Sequence, residues 1–440
     1  MELEQSLKRF AREHHEGLLV GIAGRERLHG PPSASPRATM RGARSVVAIA
    51  LPMHVPAIYE FLSKKSPIPH NVDQARGNQR AFRISESIAG FLRERGFRAK
   101  AAPVNSDYRR SPDTLGFHPT FSHRYGALLS GIAGQGWSGN VVTREYGGAV
   151  YLGSVVTNAK LESDPMMEPQ AIVDERCRKC KVCEKSCPVG MFERQREERF
   201  ALGGRSFARG KRRHIHLCTA SCFGMHALSR DKRWTSWGAH WIDDWIDGVP
   251  DPTDGRQVRR AFARQAYRAG DSGMRAMLIR RVACRLLPEE TLDVLPEVDA
   301  IPADEMARAR IQKAFASKLG LAGLENPNVL TCGHCSIVCG PTLEERAKRL
   351  KLLQRGGLVV RDAEGRMVAA ASYEDAQRIR QASRRRPSPE QRERDRKLQL
   401  QYARHYLGFD LPSEVRGVLY EARARLARFG RSSATTLGDE

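Results

Sequence analysis

The sequence predicts an α+β protein, and three observations carry that prediction. Residues 45–53, Ser-Val-Val-Ala-Ile-Ala-Leu-Pro-Met, form a short apolar run between turn residues, which suits a buried strand at the centre of a sheet. Stretches of helical period lie on either side, so helix and strand patterns alternate through the first part of the chain. Downstream, ten cysteines, most of them at metal-ligand spacing, become the organising feature.

In order, residues 3–14 read as an amphipathic helix and 18–23 as a strand, followed by a Pro/Ser-rich loop at 31–36. After the central strand a polar loop leads into a helix over 74–95, which Gly96 ends, and a strand follows at 97–102. A Pro-rich irregular loop then precedes a helix at 122–133. Residues 133–140, Ala-Gly-Gln-Gly-Trp-Ser-Gly-Asn, make a glycine-rich turn, and 141–143 and 146–157 carry the β-branched and aromatic residues of strands. The turn is not a dinucleotide fingerprint, because that loop must follow a strand and open a helix. Gly134, Gly136, Gly139, Gly147, Gly148 and Gly153 allow backbone to approach a flat ligand, although tight β-turns explain several equally well. Past Pro341 the pattern predicts a helix, a hairpin over 357–370, and helices over 373–383 and 389–430 around a Pro-interrupted linker.

The chain of 440 residues carries a formal net charge of +23, which raises the question of a polyanionic partner such as RNA. The basic residues are spread through most segments, and the densest runs, 384–386 and 392–397, lie among Pro, Ser, Glu and Asp in a linker. A solvated surface is the favoured reading of the charge. No run approaches the roughly 20 apolar residues of a membrane span, no export signal is visible at the start, and reduced cysteines suit a reducing compartment. The expected location is the cytoplasm.

The decisive motif is Cys177, Cys180, Cys183 and Cys187 followed by Pro188, a C-x2-C-x2-C-x3-C-P run. Three closely spaced thiolates wrap one iron-sulfur cube while the fourth reaches to a second. Zinc, which also takes closely spaced cysteines, is the weaker reading of this order. Cys332, Cys335 and Cys339 form a second, shorter motif, C-x2-C-x3-C-G-P. By the exchange seen in two-cluster ferredoxins, Cys339 completes the set of Cys177, Cys180 and Cys183, while Cys187, Cys332 and Cys335 share the other cube. The remaining ligand must come from Cys218, Cys222 or Cys284, of which Cys284 reads as a core thiol.

Taken together, the glycine turn, the Arg-Glu-Tyr-Gly-Gly-Ala-Val-Tyr-Leu-Gly and Leu-Glu-Ser-Asp-Pro segments and the four-cysteine run resemble epoxyqueuosine reductase and its reductive dehalogenase relatives. The resemblance covers roughly residues 15–222 and 330–371. It implies a nitroreductase-like α/β domain that binds cobalamin, over 1–168. A ferredoxin-like domain with two 4Fe-4S clusters would follow over 169–355, with a helical insertion at 223–330, and then a hairpin and helical extension over 356–440. The corrinoid would lie against Gly134, Gly136, Trp137, Gly139, Tyr146, Gly147, Gly148, Leu152 and Gly153. The family carries a single cysteine between its two motifs after a basic stretch, which points to Cys218, with Cys222 as the alternative.

Two departures from the family stand out. The acidic proton donor of epoxyqueuosine reductase is missing near Thr120, and Asn140 stands where those enzymes have lysine. Tyr125 beside Arg124 matches the tyrosine with a basic neighbour of the dehalogenases, and the alternative for it is plain packing. The second departure is the long segment after Cys222, with Trp234, Trp237, Trp241 and Trp245 at helical spacing. Such a stripe is usually core, and its alternatives are a cavity wall or a base-stacking platform. The resemblance implies a reductase fed by a ferredoxin- or flavodoxin-type electron donor and acting on a small molecule, an organohalide or epoxide-like compound. tRNA is an alternative partner, and a cobalamin-free electron-transfer protein is an alternative function.

Overall fold

The computed structural model describes residues 2–103, 108–109, 118–212, 218, 228–237, 295–318, 333–362 and 367–383. Helix α1 (Glu2–Glu13) leads into β1 (Leu19–Gly24) and β2 (Ser45–Pro52), then α2 (Val55–Leu62), α3 (Ile68–Arg93) and β3 (Ala99–Ala101). Short strands β4 (Tyr108–Arg109) and β5 (His118–Pro119) precede α4 (His123–Leu129), and β6 (Gly134–Gln135), β7 (Val141–Val142) and β8 (Val150–Thr157) follow. The expected helix over 122–133 is shorter than its pattern suggested, because Gly131 at φ +77° breaks it.

The sheet has the order β1-β2-β8-β3, and every neighbouring pair is antiparallel. The alternating pattern therefore does not build adjacent parallel strands. β2 and β3 run parallel, joined by the crossover of α3, but β8 enters from later in the chain and takes the slot between them. The alternation of side chains then sorts the apolar residues onto two faces. Val47, Ile49, Leu51, Tyr151 and Val155 pack with Leu7 and Ala11 of α1 and Ile84, Ile88 and Leu92 of α3. Val46, Ala50, Val150 and Val156 face Ala127, Leu128 and Leu129 of α4.

After the sheet, a single wide turn (Val173–Cys177) opens the first cysteine motif, which continues through the one-turn helices α5 (Arg178–Cys180) and α6 (Val182–Lys185). A long hairpin follows, β9 (Phe192–Leu202) with β10 (Arg205–Arg212), whose Leu202 and Phe207 complete the second face of the core. Then come α7 (Glu305–Lys318), α8 (His334–Ile337), α9 (Leu343–Arg355), the hairpin β11 (Leu358–Arg361) with β12 (Met367–Ala370), and α10 (Tyr373–Ser383). Thr342 caps α9 by accepting from Glu345 N–H at 3.1 Å.

Three readings need correction. The polar loop after the central strand contains α2, whose Ile58, Phe61 and Leu62 are buried, and α3 begins at Ile68 rather than 74. The hairpin of β9 and β10 was not legible, because charged pairs such as Arg209–Glu198 occupy its exposed face and hide the period of two. Trp234 and Trp237 are core, as an aromatic stripe usually is, but they are not helical. Thr235 between them bridges Leu228, and its N–H donates to Gly357 O at 3.1 Å. Trp241 and Trp245, most of the insertion and the helix over 389–430 lie outside the described residues.

The start of α3 is polar yet buried. Gln74 and His70 share a 2.8 Å hydrogen bond between Nε2 atoms, and Asp73 accepts from Tyr151 Oη at 2.7 Å and His54 N–H at 3.0 Å. Burial pulls the His70 pKa from 6.5 to about 3, so the folded protein holds the ring neutral while the unfolded chain binds a proton below pH 6.5. Stability should therefore fall as pH drops from about 6.5 toward 3, by roughly 1.4 kcal/mol per unit from this group alone. Urea unfolding at pH 6.5 and 5.0 checks this, with His70→Gln expected to flatten the difference.

Candidate metal centre

The two cysteine motifs fold alike and face one another. In the first, Lys181 between Cys180 and Cys183 adopts the left-handed conformation at φ 50°, and a short helix follows. In the second, Gly333 occupies the equivalent place at φ 60°, and α8 follows. The left-handed residue turns the chain so that the next cysteine points back, a conformation that costs a non-glycine residue about 1–2 kcal/mol. His334 Nδ1 lies 3.3 Å from Ser186 O, which couples the second motif to the first.

Cys177, Cys180, Cys183, Cys335 and Cys339 line one small recess together with Trp137, Val142, Lys181 and Arg346. Cys218 is not part of that lining, although Arg212 is within electrostatic reach of both Cys218 and Cys335. Cys187 accepts from Met191 N–H at 3.4 Å. Cys332, Cys222 and Cys284 lie outside the described residues. Among the described residues no three His, Cys, Asp or Glu side chains stand close enough to grip one bare ion. A cube instead takes one thiolate at each of its iron corners.

The surroundings of the sulfurs fit such a group. Asn140 Nδ2 donates to Cys335 Sγ at 3.2 Å, and the Gly148 N–H donates to the Cys339 carbonyl at 2.7 Å. Asn140, a departure from the resembled family, is thus part of the sulfur environment. Burial pushes the Cys177 thiol up, Cys183 well up, and Cys339 up to about 11, with neighbouring thiols adding to the effect. Iron would have to displace those protons, and donors to sulfur together with nearby cations favour the thiolate. Lys181 supplies one cation, its ammonium lying over the Trp137 ring. Arg346 supplies another.

The residues that the resemblance assigns to a corrinoid lie in packed surroundings. A side chain at Gly134 would meet Ile172, one at Gly136 would meet Val142 and Asn140, and one at Gly153 would meet Ser85 and Ala81 of α3. Gly139, at φ +79°, leaves room for the Arg212 guanidinium, and Gly147 and Gly148 leave room for Cys339 and Gly340. Trp137 is buried among the cysteines, Tyr146 Oη donates to Gly17 O at 2.9 Å, and Leu152 packs on the α4 face of the sheet. Protein atoms thus stand on the Cβ side of each of these glycines. Tyr125 stacks on Phe200 with ring centroids 6.1 Å apart.

No protein-family profile matches the chain. It is similar to epoxyqueuosine reductases, with 29% identity over 167 residues to the Bacillus anthracis protein, a stretch covering 36% of this chain and 38% of that one. The chain spans less than two fifths of the length of the curated relatives it matches. Among solved structures, a reductive dehalogenase described as suggesting a B12-dependent mechanism aligns at 13% identity, over 62% of this chain and 36% of that one, with a TM-score of 0.38. An epoxyqueuosine reductase solved with a tRNA-Tyr stem loop aligns at 16% identity, over 80% of this chain and 99% of that one, with a TM-score of 0.34.

Gly147→Ala tests the packing of the centre. It adds a side chain 2.2 Å from Cys339 O at a φ of +68°, where the left-handed backbone alone costs about 1–2 kcal/mol. Iron incorporated on anaerobic reconstitution is expected to fall, while far-UV circular dichroism stays native.

Proposed function

We propose that this protein is an iron-sulfur reductase in which two 4Fe-4S clusters relay electrons from a ferredoxin- or flavodoxin-type donor to an acceptor. The observation that carries the reading is the convergence of Cys177, Cys180, Cys183, Cys335 and Cys339 on one recess with hydrogen-bond donors and cations around the sulfurs. Cys177, Cys180, Cys183 and Cys339 would hold one cluster, and Cys187, Cys218, Cys332 and Cys335 the other. The clusters, when bound, supply one-electron transfer. The chain's own residues exclude water from the sulfurs, hold them by donors and balance their charge.

The similarity to epoxyqueuosine reductases supports a reductase acting in the cytoplasm on an epoxide-like compound or an organohalide, with tRNA as a further partner suggested by the basic charge. No described helix is long and apolar enough to cross a membrane. Cobalamin is the acceptor that the sequence resemblance suggests, and Tyr125 the proton donor. The second reading is an electron-transfer protein without corrinoid.

Anaerobic reconstitution with iron, sulfide and cobalamin, followed by metal analysis, tests both. About eight irons per chain are expected, and Cys339→Ala should lose one cluster, leaving about four. One cobalt per chain would carry the reading to a corrinoid reductase. Iron without retained cobalt would leave the electron-transfer protein, and no iron would overturn the proposal.

A further inference from the structure

Two arginines of α9 are almost wholly buried, each about 1% exposed, yet they are satisfied in different ways. Arg349 pairs with the Glu345 carboxylate at 2.6 Å and donates to Ile337 O at 2.9 Å. Arg346 has no carboxylate partner among the described residues. Its Nε donates to Gly340 O at 2.7 Å, its Nη2 has no hydrogen-bond partner, and the residue lines the recess of Cys177, Cys180, Cys183 and Cys339. A buried guanidinium stays protonated, and a buried charge without a counter-charge costs several kcal/mol, so the site demands an anion. Neutral thiols do not supply one.

We infer that Arg346 is a positioning residue for the cluster of Cys177, Cys180, Cys183 and Cys339: it is the fixed counter-cation that favours assembly of the thiolates and raises that cluster's reduction potential. The inference rests on the iron-sulfur reading above. When one electron enters from an external reductant, the cluster gains one negative charge and no bond is made or broken. A positive charge held within a dry recess stabilises the reduced state more than the oxidised one. Lys181 is a weaker candidate for this role, because it is less buried and Glu184 also attracts it.

Arg346→Gln removes the charge and keeps much of the shape, whereas Arg346→Lys keeps the charge. The two variants and the wild type are reconstituted, their iron is counted, and each cluster's midpoint potential is read by dithionite titration with electron paramagnetic resonance. In Arg346→Gln one of the two clusters should become at least tenfold harder to reduce, about 59 mV more negative, while the other is unchanged and Arg346→Lys stays near wild type. If Arg346→Gln instead loses one cluster's iron, retention of that iron in Arg346→Lys supports the role of charge. Equal iron loss in both variants, or full iron with unchanged potentials in Arg346→Gln, overturns it. A wild type that takes up no iron overturns the iron-sulfur reading itself, a result distinct from either.

Discussion

The structure depends on one close approach. The backbone of Cys339 and Gly340 lies against the turn at Gly147 and Gly148, with Gly148 N–H donating to Cys339 O at 2.7 Å. Side chains on these two glycines would stand where the second cysteine loop now sits. The same turn leads directly into β8, the strand that closes the sheet between β2 and β3. The approach thus ties a thiol more than a hundred residues downstream to a buried central strand of the sheet. Ser336 Oγ, which donates to Gly148 O, and Arg176, which donates to Pro341 O at 2.9 Å, hold the junction on either side. α2 braces it from outside, because Tyr59 Oη donates to Glu345 of α9 at 2.8 Å.

This arrangement puts sulfur in a setting where charge is decided by neighbours rather than by water. Burial alone drives Cys177, Cys183 and Cys339 toward the neutral thiol. The Asn140 amide, which donates to Cys335 Sγ, and the cations of Lys181 and Arg346 act in the opposite direction. A hydrogen bond to a charged group contributes about 1.5–3 kcal/mol. On the iron-sulfur reading, these neighbours are the groups that would hold the thiolates of a cluster.

Much of this was legible in the sequence, and the limits have physical causes. The central strand could be read because it is apolar on both faces, and the cysteine motifs because ligand spacing is local. The glycines signalled close approach but not what approaches: Gly139 admits Arg212, and Gly147 admits Cys339, both distant in sequence. α2 was missed although Ala57, Ile58, Phe61 and Leu62 carry an apolar face at helical spacing, because eight residues between prolines are too short to show a period. Arg346 could not be distinguished from Arg349 on the same helix, since only the tertiary structure gives one a carboxylate and the other a set of sulfurs.

The likeness of the two cysteine loops bears on the ligand that sequence left open. Cys180, Lys181 and Cys183 correspond to Cys332, Gly333 and Cys335, and Cys187 corresponds to Cys339, so the second loop has no counterpart of Cys177. A thiol from outside the repeat has to take that place, and it must lie on the Cys335 side of the recess. Arg212, brought there by the turn at Gly139, stands within reach of both Cys335 and Cys218. The hairpin that delivers Arg212 ends a few residues before Cys218 and packs its inner face on the sheet core. If Cys218 supplies that corner, it is the same hairpin, which sequence alone failed to show, that brings the chain toward it.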